Sequence, residues 1–173
     1  MEIRALRELD DRSAFHSGEP DLDRFIRKYA GQNQFRHHIG TTYVAVKGDR
    51  VAGYVTVAPG HIEIDNLPVA QHKKLPRYPL PILRLARLAV DESVRGQGLG
   101  KRLLGFVLRL ALRMAEEFGC IGVVVDAKPG AVTFYEQFGF LALEVIEGQA
   151  PARPPATAMF LPVKEIAAAS QRG

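Results

Sequence analysis

The stretch Arg95-Gly96-Gln97-Gly98-Leu99-Gly100-Lys101 sets three alternating glycines between two cations, directly ahead of a leucine-rich run. Glycine lets the backbone approach a ligand closely and adopt positive φ, so several amide N–H groups are free to converge on oxygen atoms. A helix starting here adds roughly half a positive charge at its N-terminus. The chemistry on offer is capture of a pyrophosphate. Two well-known phosphate loops do not fit. A Walker loop needs glycine where the chain has Arg95 and a hydroxyl residue where it has Arg102. The dinucleotide fingerprint needs a third glycine where Lys101 stands, and an early βαβ unit that the chain lacks.

Other reactive side chains are few. Cys120 is the only cysteine, which excludes an intrachain disulfide and a cysteine-built zinc site; between a helix end and an apolar strand it reads as a buried thiol. Glu63, Asp65 and Asp126 are carboxylates at strand or loop positions that a general base could occupy, and none of them stands out. The net charge of +4 permits a polyanionic partner without requiring one.

The elements that position the turn are legible in the hydrophobic pattern. At 173 residues, 47% of them hydrophobic, the chain can bury one sizeable core, so residues 1–163 are expected to form one domain and 164–173 a frayed tail. No signal-peptide core is visible, and the most apolar helix is interrupted by Arg109 and Arg113, which makes a soluble, cytoplasmic protein the expectation. Residues 1–6 read as a first strand. Residues 20–35 read as a helix with Leu22, Phe25, Ile26 and Tyr29 at helical spacing. Two β-rich runs around Gly48-Asp49 form a hairpin, followed by a long loop over 60–81.

In the next strand, Leu83 and Leu85 are odd-numbered while Leu88 and Val90 are even, so one face cannot hold all four at a period of two. A β-bulge near Ala86-Arg87 would repair this; the alternative is a strand apolar on both faces. Leu99, Leu103, Leu104, Val107, Leu108, Ala111, Leu112, Ala115 and Phe118 then trace a long amphipathic helix ending at Gly119. A buried strand over 120–127, a short helix from Pro129 to a Gly139 cap, a strand from Phe140 and a last strand near Met159 complete the pattern.

The glycine turn resembles the acetyl-CoA signature [Q/R]-x-x-G-x-[G/A] of the GNAT superfamily of N-acetyltransferases, matched by Arg95, Gly98 and Gly100. The likeness extends from the strand ending at Val90 to the Phe134–Phe140 run. It implies an α/β (α+β) GNAT fold: a mixed central sheet of about six or seven strands with helices on both faces, and strands four and five splayed to admit a pantetheine arm. It also implies acetyl-CoA as donor and coenzyme A as product, held by backbone at Leu88 and Val90 and by amides from Arg95 through Gly96, Gly98 and Gly100 to Lys101. Tyr135 is the implied general acid for the departing thiolate. The asparagine that many members carry near 126–128 is missing here.

A narrower resemblance joins residues 15–34, the glycine turn, the Tyr135 segment and the closing strand to the GNAT toxins of bacterial toxin–antitoxin pairs. Where that group commonly has cysteine, this chain has Ser17. The resemblance implies acetylation of the α-amine of aminoacyl-tRNA, restraint by a ribbon-helix-helix antitoxin, and a homodimer. An α-amine near pKa 7.7 is partly neutral at physiological pH, which suits a chain with no evident base. A tRNA substrate would need cations, and Arg24, Arg27, Lys28, Arg36, Lys73, Lys74, Arg77, Arg84 and Arg87 are the candidates. Two other readings stay open: an ordinary GNAT acting on a small amine or protein N-terminus, and a non-catalytic acyl-CoA-binding module.

Overall fold

The structure, a computed structural model, describes residues 1–72, 75–143 and 156–172. Seven strands form one sheet: β1 (Glu2–Ala5), β2 (Thr41–Lys47), β3 (Arg50–Ile62), β4 (Leu80–Val90), β5 (Gly122–Ala127), β6 (Leu141–Ala142) and β7 (Thr157–Pro162). Their order is β1-β2-β3-β4-β5-β7-β6, with β4 and β5 parallel, so the sheet is mixed as expected. The helices are α1 (Pro20–Arg24), α2 (Leu99–Glu117), α3 (Val132–Glu136) and α4 (Val163–Arg172). Contacts gather the chain into two compact units: Met1–Ala58 with Leu85–Arg109, and Pro59–Arg84 with Leu110–Gly173.

In the first unit, Gly48 adopts φ 64, the positive value that the first position of a two-residue hairpin turn demands, and Lys47 pairs with Arg50 across it. The register irregularity in this pair falls between Ala45 and Val46. Thr42 and Thr56, opposite each other and buried, share a hydroxyl–hydroxyl bond of 2.8 Å. After α1 the helix widens into π-type turns over Phe25–Tyr29 and Gln32–His37. The wider turn explains a departure from the expected face: Phe25 and Ile26 are buried, but Ala30 takes the next inward position and Tyr29 turns outward. Tyr54 holds this helix to β3. Its hydroxyl donates to the Leu22 carbonyl at 2.7 Å and its ring packs on Phe15 and Phe25 at 5.5 and 6.1 Å.

In β4, the buried residues are Leu80, Ile82, Leu83, Leu85 and Ala89, while Leu88 and Val90 are half-buried. Apolar burial thus falls on even and odd positions alike in this strand. In α2, Leu99, Leu103, Leu104, Val107 and Ala111 are buried as the spacing predicts. Phe118 is not: it is 74% exposed, because the helix ends one residue earlier and Gly119, at φ 108, turns the chain away.

The second unit has its own core, built from Ile62, Ile64, Leu67, Leu80, Ile82, Val124, Leu143 and Phe160. β3 runs on to Ile62 and β4 starts at Leu80, so the connection between them is shorter than the expected 60–81 and carries two short 3₁₀ turns. β5 pairs antiparallel with β7, which also pairs with β6. The expected frayed tail is instead helical. α4 begins where the Val163 amide donates to the Ile121 carbonyl at 2.9 Å, and Ile166 is 1% exposed, so a backbone bond and apolar burial both tie the helix down.

Candidate active site

The glycine turn sits between β4 and α2, and its geometry follows from a buried carboxylate. Asp91 ends the strand: its amide donates to the Ala52 carbonyl at 2.8 Å, and its side chain is almost fully buried. One carboxylate oxygen accepts from the amide and hydroxyl of Ser93 at 3.0 and 2.7 Å, nucleating a 3₁₀ turn over Glu92–Val94. The other accepts from the His16 amide at 2.9 Å. Burial works against the ionised carboxyl. The hydrogen bonds from His16 and Ser93, with the charge of Arg50, outweigh it and hold Asp91 below its ordinary pKa.

Past this anchor, Gly96 and Gly98 adopt φ 80 and 79, and a Cβ at either would meet no atom within 4 Å. Both conditions matter: the conformation requires glycine, and the space beside it is open to a ligand. Gly100 differs from the expectation of positive φ at all three glycines, since it lies in the first turn of α2. The Arg102 amide donates to the Gly98 carbonyl at 3.2 Å. The amides of Leu99, Gly100 and Lys101 therefore precede the first intrahelical donor, the Arg102 amide, and Gly98 has no side chain with which to cap them. Three N–H groups at the positive end of a 19-residue helix suit a diphosphate. Gly53 sets the helix at this depth. A Cβ there would lie 2.9 Å from Leu99 and 3.1 Å from Leu103, so its absence lets α2 rest directly on β3.

In the second unit, Tyr135 lies on α3, 5% exposed, with its ring edge-on to Phe134 and Phe140 at 5.1 and 5.4 Å. Burial pushes its phenol up to about 12. The group therefore stays protonated, and can donate a hydrogen bond, throughout the physiological range. Cys120 is buried, its thiol donates to the Gly122 carbonyl at 3.3 Å, and burial pushes its pKa up, which suits packing and not nucleophilic attack. Among the carboxylates considered as bases, Asp65 lies 3.8 Å from Arg77 and Asp126 lies 3.6 Å from Arg84.

The profile of the acetyltransferase (GNAT) domain matches residues 38–141, a span running from β2 through the glycine turn to Tyr135 and beyond. The chain belongs to the GNAT acetyltransferase family. Among its relatives is a tRNA-acetylating toxin of Mycobacterium tuberculosis, 33% identical over 138 residues that make up 79% of this chain and 82% of the relative. The toxin AtaT complexed with acetyl-methionyl-tRNAfMet superposes with a TM-score of 0.84 at 29% identity, covering 96% of this chain and 97% of that one. A tyrosine-to-phenylalanine mutant of AtaT, bound to the C-terminus of the antitoxin AtaR and to acetyl-CoA, gives a TM-score of 0.76 at 27% identity over 95% and 94% of the two chains.

For this GNAT enzyme, the segment Phe15-His16-Ser17-Gly18 is the part of the site that sequence reasoning left unplaced. It clasps the glycine turn. The Glu92 amide donates to the His16 carbonyl at 2.9 Å, His16 Nδ1 lies 3.1 Å from the Glu92 carboxylate, and the Arg95 guanidinium donates to the Ser17 carbonyl. Ser17 in turn donates through its amide and hydroxyl to the buried Asp23, at 2.9 and 2.6 Å. Gly18 is at φ 95, and a Cβ there would lie 3.2 Å from Glu92 and 3.3 Å from Arg95. The Arg95 amide, expected among the diphosphate donors, instead donates to the Glu92 carbonyl at 3.2 Å, while its guanidinium holds the turn to the N-terminal segment. The hint in the sequence was a glycine three residues after a buried phenylalanine.

The structure separates the nine candidate cations. Arg24 pairs with Asp21 at 3.4 Å, Arg77 and Arg84 pair with Asp65 and Asp126, and Arg87 stacks over the Phe25 ring at 3.8 Å. Lys73 and Lys74 lie outside the described residues. Arg27, Lys28 and Arg36 line one pocket together. Among the described residues, no helix is long and apolar enough to cross a membrane.

Proposed function

We propose that this N-acetyltransferase moves the acetyl group of acetyl-CoA onto the α-amine of aminoacyl-tRNA, and so blocks translation in the cytoplasm until an antitoxin of the ribbon-helix-helix type restrains it. The observation that carries the reading is the one-third identity to a tRNA-acetylating toxin over about four-fifths of both chains. The local geometry agrees with it. The donor, when bound, supplies an activated thioester; everything else falls to the protein.

Backbone of the half-buried Leu88 and Val90 would take the amides of the pantetheine arm, as a β-strand edge takes another strand. The amides at Gly96, Gly98, Leu99, Gly100 and Lys101 would hold the diphosphate, with the Asp91 anchor and the Arg95–Ser17 clasp keeping the turn in shape. Pre-formed donors need no reordering on binding, which favours affinity and alignment of the reacting carbon. Tyr135 would donate its phenolic hydrogen to sulfur as negative charge develops there. The acceptor needs little help: about a third of an α-amine with pKa near 7.7 is already neutral at pH 7.4.

The test is direct. Purified protein, labelled acetyl-CoA and charged tRNA should yield N-acetyl-aminoacyl-tRNA, and expression without an antitoxin should arrest growth. Robust acetylation of free polyamines with none of charged tRNA would overturn the proposal.

A further inference from the structure

We infer that the wide-turned helix after α1 carries an RNA-phosphate site, formed by Arg12, Arg27, Lys28 and Arg36 around one pocket; this extends the tRNA reading above and rests on it. The pocket has a volume of about 290 Å³ and lies wholly within the first unit. Its lining pairs residues 27 and 28, 31 and 32, and 35 and 36, a recurrence of four along the helix. The π-type turns over Phe25–Tyr29 and Gln32–His37 carry this row, and such turns often occur at functional sites.

Four of the lining side chains are cationic and one, Glu8, is acidic, so the pocket is positive. It is also organised. The Arg12 guanidinium reaches in from the segment before α1, half-buried, with Nη1 3.4 Å from the Ile26 carbonyl and Nη2 3.5 Å from the Glu8 carbonyl. Gly31 makes room for it, since a Cβ there would lie 3.1 Å from Nη1. Arg27 is oriented by its Nε–H bond to the Asp23 carbonyl at 3.1 Å. Fixed guanidinium forks suit phosphate oxygens better than free ammonium groups do.

Phe35 and Gln32 favour RNA over an acidic peptide as the occupant. An aromatic ring and an amide beside a phosphate cradle are what an unstacked nucleotide uses, while a carboxylate side chain has no use for the ring. Arg12 appears in no signature and is separated by 15 residues from Arg27, so only the fold unites the four.

The experiment measures binding of fluorescein-labelled deacylated tRNA by anisotropy across a salt series. Lys28→Gln and Arg36→Gln change exposed side chains, so both variants should keep the wild-type melting temperature. Each should bind about tenfold more weakly and lower the slope of log K against log salt by about one. Arg109→Gln, an exposed cation on α2, is the charge-matched control and should do neither. Equal losses in the control and the pocket variants would reduce the effect to net charge and overturn the inference. So would a wild-type protein that binds an acidic peptide through these residues and no RNA. The two proposals can fail separately: acetylation of charged tRNA with pocket variants binding like wild type sinks the pocket alone, whereas pocket-dependent RNA binding without acetylation sinks the proposed function alone.

Discussion

Replacing Tyr135 by phenylalanine removes one oxygen and leaves the ring in place between Phe134 and Phe140. The size of the effect follows from the phenol's pKa. Burial pushes it up to about 12, roughly 3.5 units above a thiol near 8.5. At 1.36 kcal/mol per unit, complete proton transfer to the thiolate before the acceptor is consumed would be uphill by about 5 kcal/mol. On the proposed reading, Tyr135 would therefore act mainly by hydrogen bonding to sulfur as charge builds. A bond of that kind to a charged group contributes about 1.5–3 kcal/mol, or about tenfold to 150-fold in kcat.

The assay is release of free thiol under saturating acetyl-CoA, with pH varied from 6 to 10. Wild-type kcat/KM should rise through the α-amine pKa near 7.7 and stay level to pH 10, because the tyrosine titrates well above that range. The Tyr135→Phe variant should show the same profile, displaced downward, with a melting temperature within about 2 °C of wild type. Undiminished kcat in the variant would refute the role. A descending limb between pH 8 and 10 that the variant lacks would refute the pKa argument.

Gly98→Ala forces a non-glycine residue to φ near 79, a strain of about 1–2 kcal/mol, and calorimetric titration with coenzyme A should show affinity lower by about five- to thirtyfold. Gly130→Ala, where a Cβ also meets open space but φ is ordinary, should bind as wild type. Asp91→Asn should lose about 1–3 kcal/mol at pH 7, by urea unfolding. Because the folded pKa of Asp91 is depressed, its contribution is complete above the unfolded value near 4 and disappears as pH falls through the folded one, so the gap to wild type should close in acid. Gly122→Ala would drive a Cβ into the Leu161 carbonyl and the Phe160 ring, and a loss of about 1–3 kcal/mol should lower the melting temperature by about 3–10 °C.

The Gly48-Asp49 hairpin, the apolar stripe of α2 and the Gly119 stop were legible because each is local: a turn needs a residue that tolerates positive φ, and a helix face repeats every three or four positions. The glycine turn was legible for the same reason. Its spacing alone set it apart from a Walker loop. Tyr29 and Phe118 misled because helical spacing carries no record of where a helix widens or stops. The tail misled because the burial of Ile166 and the Val163–Ile121 hydrogen bond depend on the rest of the chain.

What the amino-acid order determined by itself was therefore the inventory: strands, helices, a glycine-rich turn ahead of a helix and a family resemblance. Only the tertiary structure decided which groups meet. Arg95 grips Ser17 across 78 positions, and the His16 amide reaches Asp91 across 75. Arg12 joins three cations that follow it at helical spacing, whereas Arg84 and Arg87, beside the signature in sequence, are engaged elsewhere. The physical reason is range. Backbone preference acts over a few residues, while hydrogen bonds and charge pairs between distant segments form only once burial has brought those segments within a few ångströms.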